Sequence, residues 1–289
     1  MPGVKIRRLK SLQEYQECER IQNEVWGNLG VGSEVLSVTQ KYGGMVLGAL
    51  VDGRVAGFIY AFLARYHGRL IHWSHMMAVE AKHRDKGLGF RMKLVHRRLA
   101  LEEGIKTICW TYDPLQSRNA TLNLHRLGAV AEEYIPDCYG HFPSLIEKGL
   151  PSDRLVAQWR LATPRVMRRL AGKAPALVPS YPRANDTRQV AGGFIENQRL
   201  RLDLNSPRLL VEIPVNTDAM RPGNLALARR WRLEMRRVFL HYLRAGYTVD
   251  DFLPPTPATE ERGYYVLRRH RSAGNLDARL IQSAPQMKS

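Results

Sequence analysis

The residues with the clearest chemical potential are Arg84, Asp85, Lys86, Gly87, Leu88 and Gly89, an Arg-x-x-Gly-x-Gly turn in the stretch MMAVEAKHRDKGLGFRMKLVHRRLALEEG. Backbone N–H groups at a helix start are unpaired and sit at the positive end of the helix dipole, so such a turn can hold a phosphate. Gly87 and Gly89 let the backbone approach a ligand closely. His72 and His75 precede the turn, and histidine titrates near neutral pH, so either is a candidate base. Strict alternation places them on opposite faces of a strand, with Ser74 beside His72. Glu80, next to the turn, reads as a solvated residue.

These residues need a strand, a turn and a helix to position them. Ile71 to Val79 is apolar-rich and reads as a buried strand. After the glycines, Leu88, Met92, Val95 and Leu99 mark the buried face of a helix that Gly104 stops. Upstream, Val4 to Arg8 reads as a short strand and Leu12 to Val25 as an amphipathic helix. Gly27 to Gly32 breaks it, and the segment before Gly43 has no clear period. Met45 to Leu50 and Val55 to Leu63 form a hairpin around Asp52-Gly53. Downstream come a strand at Thr107 to Thr111, a short helix at Asn119 to Leu127, and strands at Ala129 to Ile135 and Leu155 to Leu161. Such alternation implies a mixed sheet with helices on its faces.

Residues 164–195 carry Pro164, Pro175, Pro179 and Pro182 and read as a linker or extended arm. A smaller α/β region follows over 196–289. Its strands are Leu209 to Val215, Tyr247 to Leu253 and Tyr264 to Leu267. Its helix, Asn224 to Leu243, has Leu227, Trp231, Met235, Val238 and Tyr242 at helical spacing. LGAVAEEYIPD at 127–137 and AGYTVDDFLPP at 245–255 share a layout, so the region reads as a partial copy of the first α/β half that lacks the glycine turn. The domain reading is therefore 1–163, a linker over 164–195, and 196–289.

Composition narrows the partners. Among 289 residues the formal charge is +17. Before residue 164 stand 22 of the 44 basic residues and 16 of the 27 acidic ones, a balance of +6, which leaves +11 for the rest. That suits a polyanionic ligand such as a nucleotide cofactor, an acidic substrate or nucleic acid. RRWRLEMRRVF has the basic residues of a nucleic-acid stripe, but Trp231 and Met235 fall on its apolar face, so nucleic acid is not favoured. The apolar runs are too short or interrupted to span a bilayer. No signal peptide is read, and Cys18, Cys109 and Cys138 have no metal-ligand spacing, so the expectation is a cytoplasmic protein with reduced thiols and no metal.

MMAVEAKHRDKGLG and, further on, SRNATLNLHRLGAV together resemble the GNAT superfamily of acyl-CoA N-acyltransferases over about residues 4–163. The whole chain is similar to an uncharacterised GNAT group with a C-terminal extension. The resemblance implies a GNAT-type mixed central sheet flanked by helices, here followed by the smaller region resembling half of the same fold. It also implies transfer of an acyl group from CoA to a primary amine of a small molecule, acetyl being the first choice. The alternatives are N-succinylation of amino acids from succinyl-CoA, or a non-catalytic module binding CoA or nucleic acid. Arg84 to Gly89 would hold the CoA pyrophosphate, and the backbone of Met77 and Val79 would pair with the pantetheine amides. Asn119, or Ser117, would bond the pantetheine arm. The tyrosine that many members use to protonate the thiolate has Leu124 in its place. Tyr112, His125 or Tyr139 could serve, or the thiolate could leave unassisted. Glu132, Glu133 and Asp137 are candidates for contacting the acceptor amine. A second copy of the chain is an optional partner, and a membrane is not expected.

Overall fold

The computed structural model describes residues 3–27, 30–140, 149–173, 180–215, 217–259 and 262–270. In chain order, β1 (Lys5–Arg8) leads to α1 (Leu12–Trp26) and α2 (Ser33–Lys41), then β2 (Met45–Val51), β3 (Arg54–Tyr66) and β4 (Arg69–Val79). α3 (Leu88–Glu102), β5 (Thr107–Tyr112) and α4 (Ser117–Ala120) follow, and α4 runs into a π-helical turn at Thr121–Arg126. Next are β6 (Val130–Ile135), β7 (Arg154–Arg160) and α5 (Pro164–Leu170). The remainder holds β8 (Asn185–Gln189), β9 (Ile195–Leu200), β10 (Arg208–Ile213), α6 (Thr217–Gly223), α7 (Leu225–Arg244), β11 (Tyr247–Leu253) and β12 (Gly263–Arg269).

Local chemistry explains much of this. Ser11 and Glu14 form a capping box that starts α1. Asp52-Gly53 and His67-Gly68 all have positive φ, which matches the tight hairpin turns on either side of β3. α2 lies where the sequence has no clear period. It buries only Leu36 and leaves Val35 and Val38 exposed, so no stripe of helical spacing announces it.

Among the described residues, ten strands make one mixed, mostly antiparallel sheet in the order β1-β2-β3-β4-β5-β7-β6-β11-β12-β10. α1 packs on one face, over Phe58, Tyr60 and Ala78. α3 covers the other, where Leu88 and Met92 meet Leu47, Ile59 and Ala61.

The sheet also locates the partial copy. Outward from the β6–β11 contact, β6-β7-β5 on one side mirrors β11-β12-β10 on the other. Ala131 and Val249, equivalent positions of the two similar segments, pair with each other antiparallel. Each segment has a register shift at the next residue: β6 between Ala131 and Glu133, and β11 between Val249 and Asp251. Equivalent bonds repeat too, from Gln158 Nε2 to Glu132 at 3.3 Å and from Arg268 Nε to Asp250 at 3.2 Å. The two halves are thus related by a local two-fold. Their core is continuous, with Trp110, Leu124 and Trp159 in one apolar cluster with Trp231, Phe239 and Tyr265.

The stretch 164–195, read from its prolines as a linker or arm, holds α5 and β8. Pro164 begins a helix capped by Thr163, where its missing N–H costs nothing. Pro175 and Pro179 lie outside the described residues.

Candidate active site

β4 and β5 run parallel, but their ladder pairs only His72 with Ile108 and Trp73 with Cys109. Beyond that point they part. From Ser74 to Val79, β4 stays paired to β3 and, among the described residues, has no ladder partner on its other edge. Backbone N–H and C=O groups on that edge can therefore pair with an extended, amide-bearing ligand, the Val79 carbonyl also accepting from Arg84 Nε. The parting coincides with a bulge. Tyr60 pairs with Met76 and Ala61 with Ser74, so His75 is the extra residue. A bulge bends a strand and re-aims its side chains.

The bulge also changes which residues share a face. His72 and Ser74 lie on the α3 side, as do Met77 and Val79. His75 points to the α1 side, between the rings of Tyr60 and Phe62 at 5.9 and 5.8 Å. His75 is exposed, and desolvation beside these rings holds its imidazole below the ordinary value. His72 is fully buried, with Nδ1 3.3 Å from Nε2 of His96. Burial, then the charge of Arg8, holds its pKa down to about 4. It lies within the paired part of the ladder, opposite Ile108, and so stands back from the open edge.

At the far end of the open edge stands the glycine turn. Gly87 has a left-handed backbone, φ 74°, and caps α3 without any side-chain hydrogen bond. A Cβ there would meet nothing within 4 Å, so the space before the helix start is open. The first helical bond is from Arg91 N–H to the Gly87 carbonyl, and the amides of Leu88, Gly89 and Phe90 precede it. These features fit a pyrophosphate. Arg84 Nε donates to the Val79 carbonyl at 2.9 Å, and Lys86 Nζ to that of Lys82 at 2.9 Å, which ties the turn to the strand end. Asp85, also left-handed, pairs with Arg118 at the start of α4. Glu80 is buried rather than solvated. Its carboxylate is 2.5 Å from Arg20 of α1 and 3.3 Å from Lys82. Burial pushes its pKa up, but the hydrogen bonds from Arg20 and Lys82 outweigh this and hold it below the ordinary value.

The remaining candidates divide by location. Asn119 is exposed on α4, and Ser117 is buried, its carbonyl accepting from Thr121 Oγ1 at 2.9 Å. Leu124 is fully buried in the shared core and offers no proton. Tyr112 is buried, and burial raises its pKa. His125 lies 3.5 Å from Asp251 in the second half, and Tyr139 is 2.9 Å from Thr111 Oγ1. Three acids have structural partners: Glu133 accepts from Tyr66 OH at 2.7 Å, Glu132 pairs with Arg160 at 3.0 Å, and Asp137 accepts from Ser152 N–H at 3.0 Å.

One residue at the parting was missed by sequence reasoning. Lys93 of α3 is 2% exposed. Its Nζ donates to Ser74 Oγ at 3.0 Å and stands 3.7 Å from the centre of the Trp110 ring. The buried face of α3 runs Leu88, Met92, Lys93, His96 and Ala100, one step round from the apolar stripe Leu88, Met92, Val95, Leu99. A lysine and a histidine three apart on an otherwise apolar helix face were the available signal.

The basic stretch of α7 is engaged in the fold. Trp231 and Met235 are fully buried. Arg232 pairs with Asp113 at 2.6 Å, Arg236 with Asp153 at 2.6 Å and Arg230 with Glu234 at 2.8 Å. Among the described residues, no helix is long and apolar enough to cross a membrane.

No family model matches the chain, and no curated protein does. Solved structures do. The NatC complex bound to Gag peptide and CoA is similar at 13% identity and TM-score 0.45, over 55% of this chain and 99% of that one. A GNAT-family acetyltransferase from Streptococcus pneumoniae is similar at 18% identity and TM-score 0.45, over 54% and 98%. The ribosomal-protein-S18-alanine N-acetyltransferase from Escherichia coli is similar at 12% identity and TM-score 0.44, over 55% and 95%.

Proposed function

We propose that the protein is an acyl-CoA-dependent N-acyltransferase of the GNAT kind, with acetyl-CoA as donor and a primary amine of a small molecule as acceptor. The observation that supports this most directly is the open edge of β4, which begins at the His75 bulge and ends at the uncapped glycine turn. One end suits a thioester and the other a pyrophosphate. In this reading the amides of the Arg84–Gly89 turn hold the pyrophosphate. Arg84, Lys86 and Arg118 add positive charge. The backbone of Met77 and Val79 pairs with the pantetheine amides, and Asn119 or Ser117 bonds the arm.

The chemistry is attack of a neutral amine on the thioester carbonyl. His75, exposed on the α1 side of the parting with its pKa below the ordinary value, is the candidate to take the amine's proton, directly or through a water. Backbone N–H groups on the open edge can stabilise the oxyanion.

Calorimetric titration of the full chain with CoA tests the site. Thiol release from acetyl-CoA and from succinyl-CoA, with a panel of amino acids and polyamines, tests the reaction and separates the two donors. Saturable CoA binding and amine-dependent thiol release are expected. Absence of CoA binding would remove both the enzyme and the phosphate site.

A further inference from the structure

Lys93 stands where β4 and β5 separate. Trp73 and Cys109 are the last pair of the parallel ladder. Ser74 and Trp110, the next residue on each strand, are the two groups that hold the Lys93 ammonium. No carboxylate is paired with it among the described residues. A buried charge without a counter-ion is costly, and an apolar side chain would fill the same space at less cost.

Distance along the strand relates this group to the acyl donor. The four residue steps of β4 from Val79 back to His75 span ~14 Å, a run along which an extended pantetheine arm can lie. In the proposed pairing along Val79 and Met77, its sulfur would come to the level of Ser74 and His75. Two basic groups would then stand on opposite sides of the thioester, His75 on the α1 side of the sheet and Lys93 on the α3 side.

We propose that Lys93 is a catalytic residue that protonates the departing CoA thiolate, the role left vacant by Leu124. This rests on the function proposed above. The amine nitrogen forms its bond to the carbonyl carbon, the C–S bond breaks, and the electron pair goes to sulfur. Lys93 Nζ gives sulfur a proton and becomes a neutral amine. The proton shed by the acceptor nitrogen, taken up at His75 and passed to water, restores the ammonium. The net change is one amide and one thiol from one amine and one thioester, with no other reactant.

The surroundings suit this exchange. Burial holds the Lys93 pKa down to about 7, so its proton is available near neutral pH. The groups facing the same buried region are His96 and His72, with Arg8 and Glu103 at its outer end. Burial first, then the nearby charge of Lys93, holds His96 well below its ordinary value. Neither histidine competes for the positive charge.

The test is the thiol pKa of CoA bound to the full-length protein, read from thiolate ultraviolet absorption and compared with free CoA. A cation within a few ångströms should lower it by about one unit or more. Lys93→Met should abolish that shift, and Lys93→Arg should keep most of it. With acetyl-CoA and an amine active in the thiol-release panel, Lys93→Met should lower kcat about 10²-fold or more, with KM little changed. An unshifted thiol in the wild type, or equal shifts in wild type and Lys93→Met, overturns the inference while CoA binding still stands. Failure of the wild type to bind CoA overturns the proposed function and this inference together. A melting curve checks that Lys93→Met folds.

Discussion

Gly87 separates two demands on one residue. Its φ of 74° is a conformation that costs other residues roughly 1–2 kcal/mol, yet a Cβ would meet no atom there. A side chain is thus sterically tolerated by the fold, while in the proposed function it would fill the phosphate site. Gly87→Glu should lower stability by only about 1–2 kcal/mol in a denaturant titration. It should abolish CoA binding by calorimetry, because its carboxylate would occupy the proposed anion site. Unchanged CoA affinity would place the phosphates elsewhere. His75 and His72 show the same separation. They are three residues apart, yet one is exposed beside Tyr60 and Phe62 on the α1 face and the other lies buried against His96 on the α3 face.

Among the elements, α1 and β4 decide the site's shape. α1 anchors the turn from outside the sheet through Arg20 and Glu80, and Glu14 secures the helix start. The hydrogen bond from Arg7, against opposing burial and with help from the backbone of Lys10 and Ser11, holds the Glu14 pKa down to about 2. A carboxylate lowered in the folded state adds stability above its unfolded value. That stability is lost as pH falls from about 4.5 toward 2. Glu14→Gln should therefore flatten the stability profile in that window and lower stability at pH 7. Urea titrations at pH 7 and pH 3 check this, and parallel profiles for the two proteins would refute it. β4 contributes its bulge, without which Met77 and Val79 would turn from the α3 face to the α1 face.

For the whole molecule, the second half completes the first. Trp231, Met235, Phe239 and Tyr265 share one cluster with Trp110, Leu124 and Trp159. Each such side chain contributes on the order of 2 kcal/mol when buried. β11 also covers the edge of β6. A fragment ending at residue 163 should therefore fail to form a stable monomer, since it bares both an apolar face and a strand edge. Near-ultraviolet circular dichroism and light scattering on that fragment check this. A cooperatively folded monomer would show that the first half stands alone. The palindromic order around β6 and β11 also explains why one site is expected. β10 is the sheet's outer strand, so the copy has no counterpart of β4 from which to part.

The sequence alone determined what depends on near neighbours in the chain. The glycine turn, the amphipathic helix behind it, the Asp52-Gly53 hairpin and the repeated segment at 245–255 are all local patterns, and the structure holds an element at each. Features set by packing between distant segments were not legible. α2 has only Leu36 to bury, so no period reveals it. The prolines of 164–195 suggested an arm because a proline at a helix start looks the same in sequence as one in a linker. Above all, one extra residue in β4 shifted every later side chain to the other face, and a one-step rotation of α3 brought Lys93 inward. Alternation and helical period are rules for isolated elements. Only the register between strands and the seating of a helix on its sheet decide which chemistry meets at the point where β4 and β5 part.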